Sequence, residues 1–142
     1  MSSAIAVAKT VLVVDDEPDM LRLVEAILSE QGYEVILARG SDNAIRTFER
    51  MTRKPDLILT DVVMPGMSGP MMIDHLMIRE PNLRVLFMSG YDERQVVQRY
   101  VVEKGFALIT KPFTLQRLGA FVKSVLNGDE VAVLPDDESA AS

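Results

Sequence analysis

The residues best able to do chemistry in this chain each sit close behind a short apolar run. Asp15, Asp16 and Glu17 come after Thr10–Val14, and Asp61 comes after Asp56–Thr60. Ser89 comes after Arg84–Met88, and Lys111 after Phe106–Ile109 with Thr110 between. If those runs end at a common edge, three carboxylates, a hydroxyl and an ammonium meet there. Two carboxylates about 5 Å apart repel by roughly 3 kcal/mol at an effective dielectric near 20. Three together are a liability for a site that is only structural. A hard divalent cation removes the liability, and Mg²⁺ typically takes one or two carboxylates, several waters and a phosphate oxygen; Mn²⁺ is the alternative. Carboxylates, such a cation, a lysine and a hydroxyl are the parts used for phosphoryl transfer. Asp61 stands alone on its strand and is therefore the acid free to act as a nucleophile, forming an aspartyl phosphate.

The elements that must position these residues are legible as two alternating hydrophobic periods. The apolar, β-branched runs Thr10–Val14, Glu34–Ala38, Asp56–Thr60, Arg84–Met88 and Phe106–Ile109 have strand length. Most are too continuously apolar for a half-exposed sheet, as expected of parallel strands covered on both faces. Between them lie helical spacings. One starts at Pro18 and stops at Gly32; another starts near Asp42 and carries Ala44, Ile45, Phe48 and Met51. A third opens at Pro70, a fourth runs from Asp92 to Lys104, and a fifth runs from Leu115 to Asn127-Gly128. Five strands alternating with five helices predict an α/β fold, a (βα)₅ doubly wound parallel sheet with right-handed crossovers. Ligands in such sheets bind outside the carboxyl ends of the strands, which is where the reactive residues fall. The second strand is followed by Arg39-Gly40-Ser41, without a carboxylate.

Composition excludes several other chemistries. The 142 residues are 48% hydrophobic and 25% charged, an ordinary globular balance for one domain. Without cysteine there is no disulfide, thiolate metal site or thiol nucleophile, and a single histidine, His75, rules out a multi-histidine centre. Any metal is therefore held by oxygen. The formal charge is -6, but Asp129, Glu130, Asp136, Asp137 and Glu138 lie after Gly128 with no Lys or Arg among them. Taking these five from the 21 acids leaves 16 against 15 bases, a body of charge -1. No basic stripe suggests nucleic-acid binding. The apolar runs fall far short of the roughly 20 residues that cross a bilayer, and the first residues do not read as a signal peptide. Residues 1–9 read as an N-terminal extension, 10–128 as the folded domain and 129–142 as an acidic flexible tail, in a cytoplasmic protein.

At this point the motifs carry a family resemblance. Val13-Val14-Asp15-Asp16-Glu17, Leu59-Thr60-Asp61-Val62-Val63-Met64-Pro65-Gly66-Met67-Ser68-Gly69, Met88-Ser89-Gly90 and Thr110-Lys111-Pro112-Phe113 occur in order on successive strands. Together they resemble a response-regulator receiver domain of two-component signalling, from about Thr10 to Asn127. The resemblance implies a flavodoxin-like sheet with strand order 2-1-3-4-5 and Asp61 as phosphoacceptor. It also implies that Asp16, Asp61 and the backbone carbonyl of Val63 ligate Mg²⁺, with Asp15 acting through a bound water. Ser89 would hydrogen-bond the phosphoryl group, Lys111 would pair with it, and the Lys111-Pro112 bond would be cis. Implied partners are a histidine kinase or histidine phosphotransfer protein and a downstream protein target. A phosphorylation-dependent homodimer is left open, and no DNA-binding output domain or membrane contact is expected. Such a protein catalyses only its own phosphorylation and dephosphorylation.

Three positions depart from the family pattern or set its kinetics. The family often places an aromatic switch residue three positions before the lysine, and here that position is Leu108. Val63, two after Asp61, cannot orient a hydrolytic water with its side chain, and Tyr91, two after Ser89, could shield the phosphoryl group; slow self-dephosphorylation is expected. Taken singly, each motif has an ordinary reading: Asp15-Asp16 as a helix cap, Asp61 as a turn residue, Lys111 as an unremarkable lysine. His75 reads as a surface residue, and Met67 as the methionine best placed for partner contact. An aspartyl phosphatase or mutase would want a second acid at the Val63 position and a cap over the site. A binding-only receiver would lack one of the acids or the lysine. The Met88-Ser89-Gly90-Tyr91 segment also resembles receivers fused to hybrid sensor kinases.

Overall fold

The structure, a computed structural model, describes residues 7–90, 101 and 103–129. Five strands form one parallel sheet: β1 (Thr10–Asp15), β2 (Glu34–Arg39), β3 (Leu57–Asp61), β4 (Val85–Ser89) and β5 (Ala107–Thr110). Their order is β2-β1-β3-β4-β5, the flavodoxin-like arrangement, with its switch point between β1 and β3. Four helices stand among the described residues: α1 (Pro18–Glu30), α2 (Ser41–Arg50), α3 (Gly69–Met77) and α4 (Leu115–Leu126). Of the predicted helix over 92–104, Val101 and Glu103 are helical, Lys104 is in a turn, and the rest lies outside the described residues, as does Tyr91. The predicted tail lies outside them from Glu130 onward.

Successive side chains of a strand point to opposite faces, so the all-apolar strands feed two core layers. Val11, Val13, Leu57, Leu59, Leu86, Met88, Ala107 and Ile109 pack with Leu21, Val24, Ile27 and Leu28 of α1 and Leu118, Phe121 and Val122 of α4. Leu12, Val14, Ile58, Val85, Phe87 and Leu108 pack on the other side with α2, α3 and Val101. The edge strand β2 is the exception, exposed at Glu34 and Arg39.

Local chemistry sets the helix starts. Pro18 occupies the first turn of α1, where its missing N–H costs nothing. Ser68 caps α3 by accepting from the Met71 N–H at 3.3 Å, and Thr114 caps α4 by accepting from the Arg117 N–H at 3.0 Å. At the far end of α4, the Arg84 guanidinium donates to the Val125 and Leu126 carbonyls and ties the helix to the start of β4.

The strands run one residue further than their apolar runs, and this alters where the reactive groups sit. Asp15, Asp61 and Ser89 are not in the loops behind their strands but are the last paired residues, opposite Arg39, Met88 and Thr110 respectively. A polar residue at the sheet's end ends the hydrophobic pattern without ending the ladder.

Candidate functional site

Alternation along the strands decides which groups meet. Asp15 continues the face of Val11 and Val13, and Asp61 the face of Leu57 and Leu59. Lys111, just past β5, continues the face of Ala107 and Ile109. All three therefore lie on the α1/α4 side of the sheet. The Lys111 ammonium stands 3.3 Å from an Asp15 carboxylate oxygen and 3.4 Å from one of Asp61. Asp16, the next residue of the β1–α1 connection, joins them: one carboxylate oxygen each from Asp15, Asp16 and Asp61 lies within 4.8 Å of the others.

Burial gives this arrangement its character. Asp15 is wholly buried, Asp61 is 7% exposed and Asp16 is half-buried. Burying a charge demands partners, and the backbone supplies several. The Glu17 N–H donates to Asp15 Oδ1 at 3.0 Å, and the Val62 N–H donates to Asp61 Oδ1 at 2.9 Å. Burial pushes the Lys111 ammonium toward a lower pKa, but the charges of Asp61 and Asp15 and the hydrogen bonds to both outweigh it. The net result lies above the ordinary lysine value.

Ser89 continues the face of Val85 and Phe87, on the other side, and is fully buried. Its hydroxyl donates to the Gly90 carbonyl at 3.2 Å, and its own carbonyl accepts the Lys111 N–H at 2.8 Å. The sheet ladder thus joins Ser89 to Lys111 through the backbone. The Lys111-Pro112 peptide bond is cis. Leu108 is 2% exposed and pairs with Phe87 across the ladder. Val63 is 49% exposed.

The donor set suits a hard cation: among the described residues, the convergent groups that could ligate a metal are the carboxylate oxygens of Asp15, Asp16 and Asp61. One expectation is refined and one contact is added. Met67, the methionine expected to be best placed for partner contact, is partly buried and packs against the second core layer, while Met71 and Ile78 of the α3 region are exposed. The short Gly40-Ser41 junction, which lacks a carboxylate, nevertheless touches both halves of the site. The Gly40 N–H donates to the Asp15 carbonyl at 3.1 Å, and the Ser41 hydroxyl donates to the Met67 carbonyl at 2.8 Å. Nothing in hydrophobic period or residue type marks these contacts. His75 is exposed on α3, as expected.

Fold and site together define a flavodoxin-like α/β domain whose strand ends present an acid cluster closed by one lysine. The sequence model of the response regulator receiver domain matches residues 11–123, and the chain belongs to that family. Sensor kinase CckA of Brucella abortus is 35% identical over 119 residues, 82% of this chain and 12% of that protein. Sporulation initiation phosphotransferase F of Bacillus subtilis is 27% identical over 82% of this chain and 92% of its own length. The chain spans 12%, 26% and 51% of the lengths of the kinase and of two regulatory proteins it matches, so its relatives are mostly longer. A receiver domain protein from Clostridium thermocellum superposes with a TM-score of 0.77 at 27% identity, covering 84% of this chain and 95% of that one. Response regulator TrrA of Thermotoga maritima, solved with Mg²⁺ and BeF, superposes at 0.71 with 26% identity, covering 82% and 98% of the two chains. No helix among the described residues is long and apolar enough to cross a membrane.

Proposed function

We propose that residues 10–128 act as a phosphoacceptor in the cytoplasm. They take a phosphoryl group from the phosphohistidine of a histidine kinase or phosphotransfer protein onto Asp61. The observation that carries this reading is Lys111 bridging Asp15 and Asp61 beside a third carboxylate at the sheet's carboxyl edge. An Asp61 oxygen attacks phosphorus, the P–N bond breaks, and its electron pair stays on the imidazole. The product is an acyl phosphate.

Asp16, Asp61 and the Val63 carbonyl, with Asp15 behind them, would hold Mg²⁺ or Mn²⁺. When bound, the cation neutralises charge on the acids and on the transferring phosphoryl oxygens. Lys111 would compensate the charge that the phosphoryl group adds to Asp61, and the Ser89 hydroxyl would turn from the Gly90 carbonyl to donate to a phosphoryl oxygen. Moving Ser89 toward that group pulls on Lys111 through the Ser89 carbonyl, which accepts the Lys111 N–H at 2.8 Å. With Leu108 buried where a swinging ring would sit, output passes through this β4–β5 backbone connection to a downstream protein or a second copy. The longer relatives leave room for either a separate protein or one part of a kinase or regulator.

Intact mass after incubation with acetyl phosphate and Mg²⁺ tests the chemistry. One added phosphoryl group is expected, labile to hydroxylamine and abolished by EDTA or by Asp61→Asn. Failure to gain mass in a folded protein that binds Mg²⁺ would overturn the phosphoacceptor reading.

A further inference from the structure

Ser41 lies far in sequence from every reactive residue, yet it is 3% exposed and aimed at the site's scaffold. The connection from Val62 to Gly69 follows the phosphoacceptor and contains Val63. It is fixed at both ends: the Val62 N–H donates to the Met88 carbonyl at 3.0 Å, and the Gly69 N–H closes back on the Val62 carbonyl at 2.8 Å. Between these points, a side-chain hydrogen bond reaches this connection from another part of the chain: the Ser41 hydroxyl donates to the Met67 carbonyl at 2.8 Å. One residue earlier, the Gly40 N–H holds the Asp15 carbonyl at 3.1 Å, and the Gly40 φ of +89° suits glycine. The start of α2 therefore clasps the end of β1 at Asp15 through backbone and the connection after Asp61 through a side chain.

We infer that Ser41 is a positioning residue for the cation site: its hydrogen bond to Met67 holds the β3–α3 connection in the conformation that completes the site around Asp61. The inference rests on the phosphoacceptor reading and adds a residue that touches neither cation nor phosphoryl group. Groups beyond the ligands that fix a metal's ligands commonly tune its affinity. Removing the hydroxyl leaves the Met67 carbonyl without that donor and frees the connection to take other conformations.

The test reads cation affinity rather than phosphorylation. Thermal melts across a Mg²⁺ titration give a midpoint for cation stabilisation in wild type, Ser41→Ala, Ser41→Thr and Thr114→Ala. The last variant removes the hydroxyl cap of α4 and serves as a control for general destabilisation. The Ser41→Ala midpoint is expected to rise roughly five- to tenfold, with Ser41→Thr recovering part of it and Thr114→Ala unshifted. At saturating Mg²⁺ the labelling rate of Ser41→Ala should return to within about twofold of wild type. A wild type that responds to Mg²⁺ and a Ser41→Ala midpoint that does not move would overturn the inference alone. A wild type without any Mg²⁺ response would remove the reading beneath it. Equal shifts in Ser41→Ala and Thr114→Ala would reduce Ser41 to a structural role and also overturn it.

Discussion

On the proposed phosphoacceptor role, Asp61 and Val63 divide the chemistry of formation from that of loss. An acyl phosphate on Asp61 would be made where Lys111 already stands 3.4 Å from the carboxylate, so formation would need little rearrangement of charge. Hydrolysis needs something different: a water held in line behind phosphorus. The side chain two residues on from Asp61 is the valine Val63, which is half-exposed and offers neither donor nor acceptor. Val63→Asn places an amide there without disturbing a buried contact. Decay of the phosphorylated form, followed by intact mass after removing acetyl phosphate, should quicken by about tenfold, below the full range of positioned acid–base assistance. Unchanged decay would mean that water access, rather than water orientation, sets the lifetime.

The β3–α3 connection shows how tightly an element can be tied to the residue it serves. A Cβ on Gly69 would lie 2.2 Å from the Asp61 carbonyl oxygen and 3.3 Å from the Val62 Cα, all backbone that no rotamer change can clear. Gly69→Ala should therefore lower unfolding free energy by about 1–3 kcal/mol in urea, as overpacking does, and slow labelling of Asp61 as the connection shifts. Wild-type stability would show that the connection yields freely. This dependence is only partly visible in the sequence. Gly69 belongs to the motif following Asp61, but its contact is made eight positions back along the chain. The parallel sheet and the strand-end acids were legible because continuous runs such as Val11–Val14 and Leu57–Thr60 leave little choice but buried parallel strands, whereas the order of the strands was implied only by the family resemblance. The strand ends were misplaced by one residue because Asp15, Asp61 and Ser89 break the apolar run while remaining in the ladder. Ser41 was invisible for a related reason: its partner is a backbone carbonyl, which carries no side-chain signature. The packing of Met67 was not legible either, because a turn-rich surrounding says nothing about which way a long side chain folds.

For the molecule as a whole, the acid cluster sets function against stability. Without a cation, Asp61 faces Asp15 and Asp16 within 4.8 Å and Lys111 at 3.4 Å. At an effective dielectric near 20, each repulsion costs about 3 kcal/mol and the attraction returns about 5, leaving roughly 1–2 kcal/mol unrelieved. Asp61→Asn removes both repulsions together with that attraction. It can keep the oxygen that accepts the Val62 N–H at 2.9 Å, and it leaves Lys111 paired with Asp15 at 3.3 Å. In EDTA the variant should therefore melt several degrees higher than wild type, about 3–8 °C for a domain of this size. Mg²⁺ should work against that difference, because a cation held by the acids would stabilise wild type by binding its folded form alone and would have fewer acids to hold in the variant. The two melting curves should thus approach or cross as Mg²⁺ rises. The folded body is nearly neutral at -1, so general self-repulsion adds little and the local term dominates. Added NaCl should narrow the gap in EDTA only slightly, because Asp15 and Asp61 are buried from the screening ions. If Asp61→Asn melts below wild type in EDTA, the Lys111 pairing outweighs both repulsions. Asp61 would then be a structural partner of Lys111, not a strained carboxylate awaiting a cation.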